Sequence, residues 1–263
     1  MSESLFDLTG RTALITGGGK GLGFLIAEVY AEHGANLAIC SRSLELCKET
    51  AAYLAEKYGV KTKAYECNIA NEQDVIRTVS EVITDFGEIQ ILVNNSGTTW
   101  GADAENMPLK GWNKVIDVNV TGTFLMSKEV GKHMISREYG KIINIGSIAG
   151  LTAKPSEDLN AIGYSTSKAA VHHFTKDLAR KWVEHGIYVN AIAPGIFETD
   201  MSKHMDKETL LKRNPMRKTG DPNSLKALAL LLGGDASDFI TGQIIAVEKC
   251  TFSLFIGFRI VPS

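Results

Sequence analysis

Short apolar runs rich in β-branched residues alternate with helix-period segments along nearly the whole chain. Residues 12–16, 36–40, 61–67, 91–93, 141–145, 188–193 and 243–247 read as seven strands. Residues 22–33, 44–57, 72–86, 112–136 and 161–185 read as the helices between them. The strand runs are continuous rather than alternating, so both of their faces should be buried. Strands of that kind, separated by helices, predict an α/β fold: a doubly wound parallel sheet with helices on both faces and right-handed crossovers. No proline- or serine-rich linker and no repeat interrupts the pattern. Residues 1–250 are therefore expected to form one domain, with 251–263 as an atypical apolar tail.

Composition excludes several functions. The 263 residues carry a net charge of −2, which leaves no basic footprint for nucleic acid. No basic run suits a membrane surface. The longest apolar stretch, 225–232, is too short to span a bilayer and contains Lys226. Residues 1–7 lack the charged and apolar parts of a secretory signal. Cys40, Cys47, Cys67 and Cys250 form no Cys-x-x-Cys pair and suit a reducing cytoplasm. The histidines show no zinc-ligand spacing, so no metal is expected. His172 and His173 would diverge by about 100° on a helix and read as surface or packing residues.

Between the first strand and the first helix lies Thr16-Gly17-Gly18-Gly19-Lys20-Gly21-Leu22-Gly23. Its glycines permit a tight turn and let backbone approach a pyrophosphate, while the helix points free amides at the anion. At the end of the second strand, an acidic residue would bind the ribose 2′-hydroxyl of NAD. This chain has Ser41-Arg42 there, and Lys20 adds a second cation nearby. An arginine fork suits a 2′-phosphate, so the expected cofactor is NADP(H).

Tyr164 and Lys168 are four residues apart, one turn along a helix. A phenol is a poor acid or base near neutral pH, and a neighbouring ammonium lowers its pKa.

In order and spacing these pieces resemble the short-chain dehydrogenase/reductase family over nearly the whole chain. The resemblance rests on Gly17, Gly21 and Gly23, on Asn94-Asn95-Ser96-Gly97, on Asn119 and Ser147, on Tyr164 with Lys168, and on Pro194-Gly195. It implies a single Rossmann-type domain with strand order 3-2-1-4-5-6-7. It implies an enzyme interconverting a carbonyl and a secondary alcohol, with a small-molecule substrate. In that scheme Tyr164 is the general acid or base, and Ser147 bonds the substrate oxygen. Lys168 lowers the tyrosine pKa and holds the nicotinamide ribose, and Asn119 holds a water in a proton relay. The cofactor is expected to lie along Gly17, Gly19, Lys20, Gly21, Leu22 and Gly23, then Ser41, Arg42, Asn68 and Ile69. It would continue past Asn95, Ser96, Gly97, Tyr164 and Lys168 to Pro194, Gly195, Ile196 and Thr199. The family also implies a homo-oligomer, a tetramer or a dimer. A non-catalytic dinucleotide-binding protein would be expected to lose Tyr164 or Lys168, and both are present.

The chain departs from the pattern in three places. Ser96 replaces a usual alanine. Sixteen residues separate Ser147 from Tyr164, some four more than is usual for the family, with the excess in 154–160. A loop there would border the substrate mouth and shape substrate choice. The tail lacks the family's Val-Asp-Gly-Gly ending. Residues 7–14 and 140–147 resemble β-ketoacyl-thioester reductases and gluconate 5-dehydrogenases. Residues 95–102 resemble the ketoacyl reductase of rhamnolipid synthesis. A 3-oxoacyl-thioester reductase is the first expectation, and a sugar-acid or polyol dehydrogenase the second. Trp100 reads either as a pocket wall or as a packing residue, and 197–217 either as a lid or as an amphipathic surface helix.

Overall fold

The structure is a computed structural model that describes residues 5–198 and 216–248. Its elements are β1 (Thr12–Thr16), α1 (Gly21–Glu32), β2 (Asn36–Ser41), α2 (Leu44–Tyr58), β3 (Thr62–Glu66), α3 (Glu72–Phe86) and β4 (Ile91–Asn94). There follow α4 (Leu109–Ile116), α5 (Gly122–Arg137), β5 (Gly140–Ile145), α6 (Ile162–Trp182), β6 (Ile187–Pro194), α7 (Pro222–Gly233) and β7 (Ile244–Val247). The strands form one parallel sheet in the order β3-β2-β1-β4-β5-β6-β7, as expected. The chain winds outward from β1 in one direction and from β4 in the other. The connections leaving the carboxyl ends of these two strands turn to opposite faces of the sheet and leave a crevice between them.

Two apolar layers sandwich the sheet. On one face Ile26 and Tyr30 of α1, Leu54 of α2 and Leu225 and Leu232 of α7 pack on Ile15, Ile39 and Ile143. On the other, Val79 of α3, Met126 and Val130 of α5 and Leu178 of α6 pack on Leu14, Leu92, Ile142 and Val189. Each fully buried side chain of this size contributes about 2 kcal/mol. β1, β4 and β5 are buried along their whole length, as their continuous apolar runs require. Edge strand β3 differs: Lys63 and Glu66 are exposed while Tyr65 is buried. A strand with a neighbour on one side only can leave residues in water.

Helix boundaries follow local chemistry. Asn71 caps α3 by accepting the Asp74 N–H at 3.0 Å. Asp221 caps α7, with Pro222 in the first turn. The segment 225–232, read only as an apolar stretch, is the body of this helix. Leu225, Ala229 and Leu232 are buried at helical spacing against α1 and the sheet, but Ala227, Leu228 and Leu231 on the more open side are apolar too and mask the period. The single helix expected over 112–136 is corrected to two. α4 and α5 are separated by a π turn, Asp117–Thr121, in which the Gly122 N–H bonds the Asp117 carbonyl. Such a turn adds one residue to the helical repeat and re-aims what it carries.

Candidate active site

The glycine-rich turn between β1 and α1 is held from β4. Thr16 Oγ1 accepts the N–H groups of Asn95 and Ser96, both at 3.0 Å. Asn95 Nδ2 donates to the carbonyls of Thr16 and Gly17, both at 3.0 Å. Gly17 sits at φ +65°, where a side chain would be strained. A Cβ on Gly23 would lie 2.4 Å from the Gly17 carbonyl oxygen and 2.5 Å from Asn95 Nδ2. The turn can be this tight only without side chains. Gly19 lies over Leu46, and its carbonyl accepts the Thr50 hydroxyl at 3.0 Å. Gly21 begins α1, and Leu22 packs on the core. No side chain caps α1, so its first amides face the crevice mouth with the exposed Lys20 at the N-cap. This cradle, closed to side chains and lined with backbone donors, fits a dinucleotide pyrophosphate.

At the tip of β2 the Ser41 hydroxyl makes a local turn, accepting the Ser43 N–H at 3.1 Å. Arg42 beside it is exposed. Beyond β3, Asn68 is also exposed, and its Oδ1 accepts the Ala70 N–H at 3.3 Å. Ile69 is buried against Gly122 at the start of α5. On the far side of the crevice Gly195 donates to the Val247 carbonyl at 2.9 Å, and the Ile196 carbonyl accepts from Gly220 at 2.8 Å. Pro194 ends β6. Thr199, most of the segment 197–217 and the tail 251–263 lie outside the described residues.

The π turn delivers Asn119 into the buried floor. Asn119 Oδ1 accepts the Thr98 N–H at 2.8 Å, and Nδ2 donates to the Thr98 carbonyl at 3.0 Å and to Ser167 Oγ at 2.8 Å. One side chain thereby ties the loop after β4 to α6, with one Oδ1 lone pair to spare. A Cβ on Gly97 would come 3.5 Å from Asn119 Oδ1 and 3.6 Å from Lys168 Nζ. Gly97 thus brings the strand-four loop directly over both groups.

One face of α6 carries polar side chains at residues 164, 168, 172 and 175, and all four meet the end of β5. The Tyr164 phenol faces the Ser147 hydroxyl. Lys168 Nζ donates to the Ile145 carbonyl at 2.7 Å. His172 Nε2 accepts the Ser147 N–H at 3.4 Å. Thr175 Oγ1 accepts from Asn144 Nδ2 at 2.9 Å. The chain continues through the sheet, since Asn94 Nδ2 donates to Asn144 Oδ1 and to Ser127 Oγ, each at 2.9 Å. Burial pushes the Lys168 ammonium down to about 8. Burial pushes the Tyr164 phenol above its ordinary value, and the Ser147 hydroxyl pulls it partly back. Lys168 Nζ stands 5.7 Å from the Tyr164 ring centre.

Tyr164, Lys168, Ser147 and Asn119 therefore converge, although they come from three separate stretches of chain. Sequence reasoning missed the residues that hold them. Thr16, Thr98 and Ser167 are ordinary small polar residues until the fold is known. His172 had a signal, its position four residues after Lys168. Trp100 packs its indole over Gly111 on α4, with Lys114 Nζ 5.6 Å from the ring centre. The loop 154–160 is stitched to the loop carrying Trp100: Asn160 Nδ2 donates to Asp103 at 2.7 Å, and its carbonyl accepts the Ala102 N–H at 3.1 Å.

The chain belongs to the short chain dehydrogenase family, whose model matches residues 11–210. It is an oxidoreductase acting on CH–OH and keto groups. It is 36% identical over 248 residues to the 3-oxoacyl-[acyl-carrier-protein] reductase of Aquifex aeolicus, covering 93% of this chain and 98% of that one. The Pseudomonas aeruginosa RhlG/NADP active-site complex superposes with a TM-score of 0.88 at 36% identity, covering 94% of this chain and 98% of that chain. A gluconate 5-dehydrogenase from Burkholderia cenocepacia, in complex with NADP and tartrate, gives 0.88 at 34% identity, covering 93% and 96%. No helix among the described residues is long and apolar enough to cross a membrane.

Proposed function

We propose that the protein is an NADP(H)-dependent reductase of a 3-oxoacyl thioester, built as one domain over residues 1–250. The observation that carries the reaction is the polar face of α6 converging with Ser147 at the end of β5. A bound NADP(H) supplies the hydride in reduction and takes it up in oxidation. Tyr164 gives its proton to the substrate oxygen as negative charge builds there, and Ser147 donates a hydrogen bond to the same oxygen. Lys168, held by the Ile145 carbonyl, steadies the phenolate that is left and holds the nicotinamide ribose. Asn119 keeps an acceptor for a relay water while clamping Thr98 to Ser167. The adenosine end rests on the glycine turn, Ser41, Asn68 and Ile69, with Arg42 and Lys20 for the 2′-phosphate. Ser96, Gly97, Pro194, Gly195, Ile196 and Thr199 border the nicotinamide.

For the substrate, the 36% identity to 3-oxoacyl-[acyl-carrier-protein] reductases over more than nine-tenths of the chain supports a thioester. The similarity to gluconate 5-dehydrogenase supports sugar-acid oxidation as the second reading. The partly exposed Phe124 and Ile162 on α5 and α6 support a homo-oligomer. The described cysteines are buried and free, which fits the cytoplasm. The deciding assay compares reduction of an acetoacetyl thioester with oxidation of gluconate, each with phosphorylated and unphosphorylated cofactor. Thioester turnover preferring NADPH is expected. Gluconate turnover alone would transfer the assignment to the second reading, and turnover of neither would remove both.

A further inference from the structure

We propose that His172 is a positioning residue for Ser147, fixing the turn that aims the serine hydroxyl. The proposal rests on the reading of Ser147 as the donor to the substrate oxygen. The turn after β5 is pinned to α6 at two places one helical turn apart. At Gly146, a Cβ would lie 2.2 Å from His172 Nε2, so the imidazole occupies the space a side chain would need. At Gly150, a Cβ would lie 2.5 Å from the backbone carbon of Lys168. Ser147 sits between these pins and is itself buried. Its N–H points at His172 Nε2 at 3.4 Å, at the long end of hydrogen-bond range. Its hydroxyl accepts the Ala149 N–H at 3.1 Å within the same turn. The serine hydroxyl therefore takes its direction from a backbone that His172 holds.

Packing alone does not account for this residue. His172 is only 5% exposed. Its Nδ1 is buried and makes no well-aligned hydrogen bond among the described residues, the Gly150 backbone being near enough only to pull on the ring. An apolar side chain of similar volume would fill the site without that cost. What an apolar residue would not do is accept the Ser147 N–H, which would then be buried and unpaired. With Nε2 accepting, the ring proton must sit on Nδ1, and a neutral ring is required.

The test uses the full chain, NADPH and an acetoacetyl thioester. His172→Leu removes the acceptor, whereas His172→Gln returns one near the Nε2 position. Each variant is measured alone and with Ser147→Ala. The Leu variant should lose roughly 10- to 100-fold in kcat, the range for a lost buried acceptor, with KM and the NADPH dissociation constant within about twofold. The Gln variant should recover most of that loss. In the Ser147→Ala background, His172→Leu should change the residual rate less than about twofold. Equal losses in both backgrounds would overturn the proposal, as would Gln performing no better than Leu. If Ser147→Ala leaves kcat unchanged, the reading of Ser147 fails and this proposal with it. If the thioester is not turned over at all, the substrate reading fails alone. The imidazole nitrogen-15 shifts of His172 then decide. The Nδ1–H tautomer supports the proposal, and the Nε2–H tautomer refutes it.

Discussion

On the β5–α6 side of the crevice, Ser147, Lys168, Asn119 and His172 are buried and hydrogen-bonded across separate elements. On the β2–β3 side, Arg42, Lys20 and Asn68 are exposed at strand and helix tips. The first arrangement fixes where a proton can be given or taken. The second presents charge from flexible side chains over a rigid glycine turn. Geometry is stored on one side and charge preference on the other. Substitutions should therefore be costly and specific near α6, and graded near β2.

The sharpest way to break this contrast is Tyr164→Phe, which removes one oxygen and keeps the ring. Turnover should fall about a thousandfold, while NADPH binding by fluorescence titration stays within a few-fold. Retained turnover would place the proton donor elsewhere. A second probe uses acidity. Burial pushes the His172 imidazole down to about 4, against a counterpull from the Gly150 backbone and with a further push from the Lys168 and Lys176 ammoniums. Its unfolded value is near 6.5. Between these values the unfolded chain holds the proton and the folded chain does not. This contribution is full above pH 6.5 and is lost as pH falls toward 4. Urea unfolding at pH 7 and pH 4.5 should show a smaller loss for His172→Gln than for the parent, and equal losses would contradict the assignment. The mildest probe is on the other side. Arg42→Asp should move the NADPH-to-NADH ratio of kcat/KM toward NADH by roughly tenfold or more, with kcat for NADH little changed. An unmoved ratio would show that Arg42 does not meet the phosphate.

The sheet was legible because buried parallel strands write continuous apolar runs, and the order followed from the family resemblance. The β3 edge was less so, since half its residues face water. α7 was hidden because apolar Ala227, Leu228 and Leu231 on its more open side mask the period of its buried face. The break at residues 117–121 left only an unspecific trace: Asp117-Val118-Asn119-Val120-Thr121 are all weak helix formers, but weak propensity alone does not specify a π turn. Tyr164 and Lys168 share one helix, so their spacing could be read directly. The link from Ser147 to His172 joins a strand end to a helix 25 residues away, which only the packing of α6 on β5 creates. Asn119 could be located as a residue but not as a clamp, because Thr98 and Ser167 meet it only in three dimensions.

The π turn also separates foldability from function. Deleting any one residue from 117–121 would leave an uninterrupted α-helix from α4 into α5, with no cap lost and no proline introduced. The wide turn absorbs one extra residue, so α4 and α5 would stay nearly in phase, with Val115 of α4 and Met126, Val130 and Met134 of α5 still anchored in the core. Only the path of 117–121 would change, and with it the placement of Asn119 against Thr98 and Ser167. In a population of natural variants, a single-codon deletion here would pass a screen for expression and helix content and fail only at the bench where turnover is measured.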